Sequence, residues 1–511
     1  MRRLVFLVLI ILPAIRIAAQ HRLEKLNIYF NEVALKETIN GNVLLAERGR
    51  IIYNRSFGYA DFRSGRENHA DTHFNLASIS KVFTSTAVLQ LKEKGRLKLD
   101  DAFKKYFKDF PYPQITVRHL LTHTSGLPDL ELYENLIKQF PDTVVHNDII
   151  IPTLIKENMP LYFNPGDKFS YCNTNYSLLA LLVEKLSGQS FGNYLADHIF
   201  RPAKMSDTYL PTTSYRLADS AIAVSHTRVR LFDTAYVPAY EVERYRYTEY
   251  NNSAAAGASD IITTTTDLLK FDDAFFSGRL LNKASVEEAL TPVKLNDGQS
   301  LDERMDTMEG EGRGSYGLGW ELFEQPGIGK SAGHGGFKRG LATFYCRDLE
   351  SGKTVIAFDN TAGKAFGKVV TSSFNLLHDY PAIAGDAKIS LTEVYAQAMI
   401  HGGAENAATC FNTLKDDTTH YYFSEQEMNR LGYEFLYFST FKDCKTYAIE
   451  TFKINTLLFP HSYNTYDSYA EALADTGRKR EALLMYQKSL DLNPENKEGR
   501  MAMEKIMTQL K

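Results

Sequence analysis

Cysteine is scarce in this chain, with four residues, Cys172, Cys346, Cys410 and Cys444, among 511. Spread so widely, they do not form a disulfide framework; they read as buried thiols, with one distant pair left open. None has metal-ligand spacing from its neighbours, so neither a structural metal nor a metal hydrolase is expected, and no cofactor is called for. Long basic runs are also missing. Lys and Arg number 58 against 62 Asp and Glu, a net charge of −4, which argues against nucleic acid as a partner. The one strongly apolar run, Leu4 to Ile15, is too short to span a bilayer comfortably.

That run is a targeting segment rather than part of the fold. Met1-Arg2-Arg3 makes a positive start, and Ile17-Ala18-Ala19 offers small residues for cleavage before Gln20. Residues 1–19 therefore read as a signal peptide. The mature protein is expected to be periplasmic or secreted, with no stable membrane span after cleavage. No cysteine follows the apolar run, so lipid attachment there is not expected. The remaining length suffices for two or more domains.

Asn75-Leu76-Ala77-Ser78-Ile79-Ser80-Lys81 reads as a loop entering a helix that a glycine stops at Gly95. Three residues apart on a helix, Ser78 and Lys81 share a face. A serine becomes a competent nucleophile when a neutral lysine takes its proton, and burial lowers a lysine pKa toward that state. The same S-x-x-K spacing recurs at Ser439 and Lys442, so the pair alone decides nothing.

Around it the chain falls into ordered blocks. Gly41 to Ala46 and Ile51 to Tyr53 flank Arg48-Gly49-Arg50 as a β-hairpin. From Lys92 to about Leu290 helix and loop alternate. His123 and Ser125 lie in a Ser-Gly-Leu-Pro turn, which accounts for them better than a base and nucleophile would. Pro165-Gly166 begins a turn that delivers Tyr171 and Asn173 on a short loop before a helix from Leu178 to Leu186. Tyr171 suits proton transfer if a cation lies near. Ala254 to Asp260, rich in small residues, reads as a site of close backbone packing. Strands return at Tyr316–Leu322, read as one strand, then at Gly329–Gly336, Gly340–Cys346 and Thr354–Asp359, before a helix from Ala365 to Leu377. His334-Gly335-Gly336 lets a strand lie against an acyl group, with His334 supplying positive charge or a hydrogen bond.

From about Ala387 only helices are expected. Ala448, Phe452 and Pro460 recur as Ala482, Tyr486 and Pro494, an offset of 34 at each position (482 − 448, 486 − 452, 494 − 460). That is the tetratricopeptide period, and Gly477 marks the turn within the second unit. The Ser439–Lys442 pair is expected on a helix of this region.

Taken in order, S-x-x-K at Ser78–Lys81, Y-x-N at Tyr171–Asn173 and H-G-G at His334–Gly336 resemble the serine β-lactamase and penicillin-binding protein superfamily. The branch is that of class C β-lactamases, D-Ala-D-Ala carboxypeptidases, D-amino-acid peptidases and related esterases. Leu120 to Leu127 and Tyr316 to Trp320 are similar to secondary signatures of that branch. The resemblance covers roughly residues 25–380. It implies an α+β fold: an antiparallel sheet flanked by helices, with an inserted helical subdomain, spanning 20–382. An all-α tetratricopeptide-like region would follow at 387–511.

The resemblance further implies that Ser78 forms an acyl-enzyme while Lys81 and Tyr171 share the proton work. Asn173 would hold the substrate amide. His334, Gly335 and Gly336 would line the substrate strand, and the backbone N–H groups of Ser78 and Phe337 would make an oxyanion hole. The substrate would be a small ester, an amide or a D-amino-acid peptide. Two alternatives stand beside this: a β-lactamase proper, and a penicillin-recognising sensor or scaffold without turnover. His-Gly-Gly where class C enzymes carry Lys-Thr-Gly argues against antibiotic hydrolysis, although Lys338 and Arg339 lie just beyond. The cleft walls are expected from Tyr133–Tyr162 and Thr227–Tyr250. The helical repeats would offer a surface to a protein partner.

Overall fold

The computed structural model describes residues 20–211, 219–246, 251, 255–301, 313–325, 327–384 and 388–510. The expected signal peptide at 1–19 lies outside them. The described residues divide into two units. One comprises those up to Thr227 together with Val237–Ala384; the other comprises Arg228–Tyr236 and the residues from 388 onward.

A seven-stranded antiparallel sheet organises the first unit. Its strands are β1 (Gly41–Glu47), β2 (Arg50–Phe57), β3 (Arg313–Tyr316), β4 (Glu321–Gln325), β5 (Gly329–Lys338), β6 (Leu341–Asp348) and β7 (Lys353–Asp359). They lie in the order β2-β1-β7-β6-β5-β4-β3. The hairpin between β1 and β2 turns at Arg48 and Gly49, both with positive φ (50° and 75°), as a two-residue turn matched to strand twist requires. Gly41 of β1 pairs with Asp359 of β7, so the two ends of this unit's sequence meet in mid-sheet.

Both sheet faces are covered, and the strand period of two sorts the side chains. On β1, Val43 and Leu45 face a cluster with Leu26 and Phe30, from helix α1 (20–35), and Val370 and Phe374. Leu44 and Ala46 face the opposite cluster, with Phe83, Phe271 and Trp320. Three helices of the insertion between β2 and β3 bear on the site: α2 (Ser80–Glu93), α3 (Asn173–Ser187) and α4 (Thr265–Phe276). Helix α5 (Phe366–Leu377) follows β7.

The sequence from Tyr316 to Leu322 is not one strand. β3 ends at Tyr316, the chain reverses through Gly317–Trp320, and β4 starts at Glu321. Gly319 carries φ +84°, and a Cβ there would come within 2.8 Å of both Ser85 and the Tyr176 hydroxyl. Trp320, fully buried against Phe275 (ring centroids 4.6 Å apart), holds the reversal in the core. Burial of the tryptophan outweighs the strand propensity of its neighbours.

The second unit contains α6 (Leu391–Leu414), α7 (Glu425–Tyr437), α8 (Cys444–Leu458), α9 (Tyr463–Asp475), α10 (Lys479–Leu492) and α11 (Lys497–Leu510). Ala448 and Phe452 are buried on α8, as are Ala482 and Tyr486 on α10, so the recurring positions hold equivalent places. The segment 228–236 completes this core. Phe232 stacks on Phe435 at 5.2 Å, Arg228 pairs with Glu393 at 2.8 Å, and the Leu231 N–H donates to the buried Glu434 carboxylate at 2.6 Å. Ser439 and Lys442 lie in the loop between α7 and α8, not on a helix, and the Ser439 hydroxyl donates to the Glu434 carbonyl. All four cysteines are free; Cys172 and Cys346 are buried, while Cys410 and Cys444 are half-buried.

Candidate active site

Ser78 occupies a 3-10 turn, Ala77–Ile79, that runs into α2. Ala77 before it has φ +46°, a left-handed conformation that is costly for a residue with a Cβ. The Asn75 side chain holds the turn by accepting the Ala77 N–H at 2.8 Å. Lys81, on the first turn of α2, is completely buried. Its Nζ contacts Ser78 Oγ at 3.1 Å, Asn173 Oδ1 at 2.9 Å and the Ala258 carbonyl at 2.9 Å.

Burial lowers the Lys81 pKa to about 7, while Asp129, Cys172 and Glu321 pull it back up. A neutral amine has two N–H bonds and one lone pair. Asn173 Oδ1 and the Ala258 carbonyl can only accept, so they take both N–H bonds. The lone pair is left facing Ser78. This arrangement can remove the hydroxyl proton of Ser78.

Tyr171 stands in the loop before α3, with 38% of its surface open to the cleft. Its ring stacks on His123 at 4.3 Å and lies 4.7 Å from the Lys81 amine. Desolvation raises the phenol pKa well above its ordinary value, against the pull of a hydrogen bond with Ser78. The phenol is therefore protonated at neutral pH. His123 positions this loop as well: its Nδ1 accepts the Cys172 N–H at 3.0 Å and its carbonyl accepts the Ser170 N–H at 2.9 Å. The histidine expected to be only part of a turn thus holds Tyr171 in place.

Asn173 is the first residue of α3 rather than a loop residue. The local sequence gives no cap for this helix start. Asp129 supplies it, accepting the Thr174 N–H at 3.0 Å through Oδ1 and the Asn173 Nδ2 at 3.0 Å through Oδ2. Two His pairs stand four residues apart in the chain, His69/His73 and His119/His123. Three of the four rings are engaged separately: His73 with Asp219, His119 with the Thr116 N–H and His123 with the Cys172 N–H.

His334 to Phe337 lie on β5. His334 is buried, its Nε2 lies 3.1 Å from the Tyr316 hydroxyl, and its Nδ1 lies 2.5 Å from the Gly335 carbonyl. Burial, with Lys81 nearby, lowers its pKa to about 3. Of the two roles open to His334, positive charge or a hydrogen bond, burial favours the second: a ring cut off from water is neutral. The buried Glu321 accepts the Gly335 N–H at 2.8 Å, and burial raises its pKa to about 7.

β4 begins opposite Gly333, so the edge of β5 beyond that residue has no β4 partner. The Gly335 N–H points to that side, toward Glu321, and strand alternation aims the Phe337 N–H the same way. Gly336 has no space for a side chain: a Cβ would lie 2.3 Å from Thr343 Oγ1, 2.5 Å from the Leu76 carbonyl and 3.1 Å from Ala77 Cβ. The missing Cβ lets β5 close against the turn that carries Ser78. Lys338 is tied to Asp260 at 2.6 Å, and the Arg339 guanidinium lies 4.3 Å above the Tyr245 ring.

Together these residues line a cleft of about 720 Å³ containing Ser78, Tyr171, Asn173, Glu321, His334 and Phe337. Tyr133 reaches it from one expected wall. Among the described residues of 227–250 none lines it; Tyr245 lies beneath Arg339, which does. Sequence reasoning singled out neither Asp129 nor Glu321. It gave Ala258 only as part of a packing stretch, yet the carbonyl of that residue anchors Lys81.

A match to the family described as Beta-lactamase covers residues 32–377. Penicillin-binding protein 4* of Bacillus subtilis (strain 168) is 34% identical over 345 residues, 67% of this chain and 72% of that protein. Two solved structures share the fold. A penicillin binding protein from Bacillus halodurans has TM-score 0.55 and 24% identity, over 68% of this chain and 97% of that one. The D-amino acid amidase from Ochrobactrum anthropi SV3 complexed with D-phenylalanine has TM-score 0.54 and 25% identity, over 68% of this chain and 94% of that one. A match over most of the first unit, on the same stretch that brings Ser78 and Lys81 together, means that this chain belongs to the Beta-lactamase family and is a serine hydrolase.

Proposed function

We propose that the protein is an exported hydrolase that forms an acyl-enzyme at Ser78 and acts on a small ester, an amide or a D-amino-acid peptide. The observation that carries this reading is the amine of Lys81, 3.1 Å from Ser78 Oγ, with Asn173 Oδ1 and the Ala258 carbonyl placed to take both N–H bonds of its neutral form. Lys81 takes the proton from Ser78 as Oγ attacks the carbonyl carbon. The developing oxyanion is met by the N–H groups of Ser78 and Phe337. Tyr171, a protonated phenol, gives its proton to the leaving amine or alkoxide, the carbonyl reforms, and the acyl group stays on Ser78. Lys81, which holds the proton taken from Ser78, returns it to the Tyr171 phenolate before water enters. Water then attacks the ester, its proton passing to Lys81 and on to Ser78 Oγ as the acid leaves, which restores the hydroxyl and the neutral amine.

The neutral His334 favours this reading over a β-lactamase proper, since it brings no fixed positive charge to the substrate strand. The resemblance of the first unit to a D-amino acid amidase supports amide substrates. The equivalent burial of the recurring positions in α8 and α10 supports a tetratricopeptide-like unit that docks a protein partner.

The test is intact mass after brief mixing with benzylpenicillin, together with turnover of p-nitrophenyl acetate and D-phenylalanine amide, for the wild type and Ser78→Ala. The expected result is a drug adduct or turnover that Ser78→Ala loses by at least ~10³-fold. Turnover unchanged in Ser78→Ala would end the reading.

A further inference from the structure

We propose that Asp129 is a positioning residue for this reaction: its carboxylate fixes the orientation of Asn173 and, through it, aims the lone pair of Lys81 at Ser78. The inference rests on the acyl-enzyme reading above.

Asp129 follows the Ser-Gly-Leu-Pro turn and comes from a segment 44 residues ahead of Asn173. Its two oxygens do different work. Oδ1 accepts the Thr174 N–H at the start of α3, where the preceding residue, Cys172, provides no side-chain cap. Oδ2 accepts the Asn173 amide N–H. That second bond decides which way the Asn173 carboxamide faces. With its NH₂ on the carboxylate, its oxygen must point at Lys81, 2.9 Å away.

Only a carboxylate offers two acceptors here. In Asp129→Asn the Thr174 N–H is backbone and cannot turn, so it keeps the remaining oxygen. The new NH₂ then faces the NH₂ of Asn173. Asn173 turns over and presents its own NH₂ to Lys81. A neutral Lys81 can accept that hydrogen bond only with the lone pair it needs for Ser78, so the base is blocked without loss of the helix cap.

Charge gives an independent readout. The ionisable groups facing Lys81 are Asp129, Glu321, Cys172, His123 and His334, with the rings of Tyr171 and Tyr176 at 4.7 and 5.6 Å. Asp129 itself also faces Tyr162 and Cys172, and its backbone N–H donates to Glu131. Among the neighbours of Lys81, Asp129 stands first of those that favour the ammonium form. Removing its charge lets Lys81 lose its proton at lower pH. The acid limb of the rate profile moves down in pH while the plateau falls. A role in stability alone moves neither.

The experiment measures kcat/KM for p-nitrophenyl acetate from pH 5 to 10, and the rate of acylation by benzylpenicillin. It uses the full chain as wild type, Asp129→Asn, Asn173→Ala and the double variant. Asp129→Asn is expected to lose roughly 10- to 100-fold, the range for a misaimed base. Its acid limb is expected at lower pH, and the double variant is expected to be no slower than Asn173→Ala alone, because one residue acts through the other. A loss below threefold with an unmoved limb, or losses that multiply in the double variant, overturns the proposal. Should Asp129→Asn not fold, Asn173→Asp decides: two facing carboxylates must share a proton, adding an ionisation to the profile. Its absence overturns the proposal. Ser78→Ala is run beside them; activity equal to wild type there would sink the acyl-enzyme reading itself.

Discussion

Replacing Gly336 with alanine should damage the chemistry far more than the fold. The new Cβ would sit 2.5 Å from the Leu76 carbonyl and 2.3 Å from Thr343 Oγ1. The threonine has little room to yield, because its hydroxyl already donates to that same carbonyl at 2.9 Å. Relief to an ordinary contact distance needs β5 and the turn at 76–78 to part by about 1 Å. In the proposed mechanism the two oxyanion donors lie on opposite sides of that gap, Ser78 on the turn and Phe337 on the strand. A misplacement of about 1 Å costs on the order of 10²-fold in rate, and loss of one oxyanion donor ~10²–10³-fold. Overpacking costs about 1–3 kcal/mol, which lowers Tm by roughly 1–4 °C in a unit of this size. The assay is kcat and KM on p-nitrophenyl acetate, beside a melting curve. The expected result is a drop in kcat of about 100-fold or more with the protein still folded at 25 °C. Gly367→Ala is the control, since a Cβ there meets nothing within 4 Å. Gly336→Ala with kcat/KM within threefold of wild type would refute the reasoning.

Three further outcomes follow from the structure. Lys81 must be neutral to act, so kcat/KM should rise as pH passes through about 7, as followed with p-nitrophenyl acetate. Glu321 titrates in the same range, so the limb belongs to the pair. Glu321→Gln removes a negative neighbour and should move the limb to lower pH; a limb that moves up contradicts the assignment. In the second unit, Phe232→Ala removes a buried ring stacked on Phe435 and should destabilise the helices by about 3–5 kcal/mol. Circular dichroism melts at 222 nm would show this as an earlier helical transition, and unchanged melts would deny the segment its place in that core.

Much of the site could be read from the chain because its residues lie on local patterns. Ser78 and Lys81 sit one helical turn apart, and the glycine after His334 marks a strand that something must approach. The hairpin at Arg48-Gly49 carries its own turn chemistry. The partners that tune these groups are set by contact across the fold. Asp129 is one acid among many until α3 is placed beside it. Glu321 lay inside an expected strand, and only the reversal at Gly317–Trp320 turns it toward Gly335. A histidine in a Leu-Thr-His-Thr run gives no hint that it stacks on Tyr171. His334 was open to either charge state until its burial was known, since the sequence does not contain the surrounding dielectric.

The nine residues from Arg228 to Tyr236 make the chain cross between its two units three times rather than once. Cutting the backbone between Ala384 and Lys388 would remove only the last crossing, leaving the helices held by the packing of Leu231 and Phe232. A single proteolytic nick there therefore yields two pieces that travel together. The same arrangement orders events at synthesis. The segment leaves the ribosome more than 150 residues before Glu393 and Phe435, its partners in the folded unit. Closure of the helical core is thus a long-range event, slower than its local helix contacts would allow.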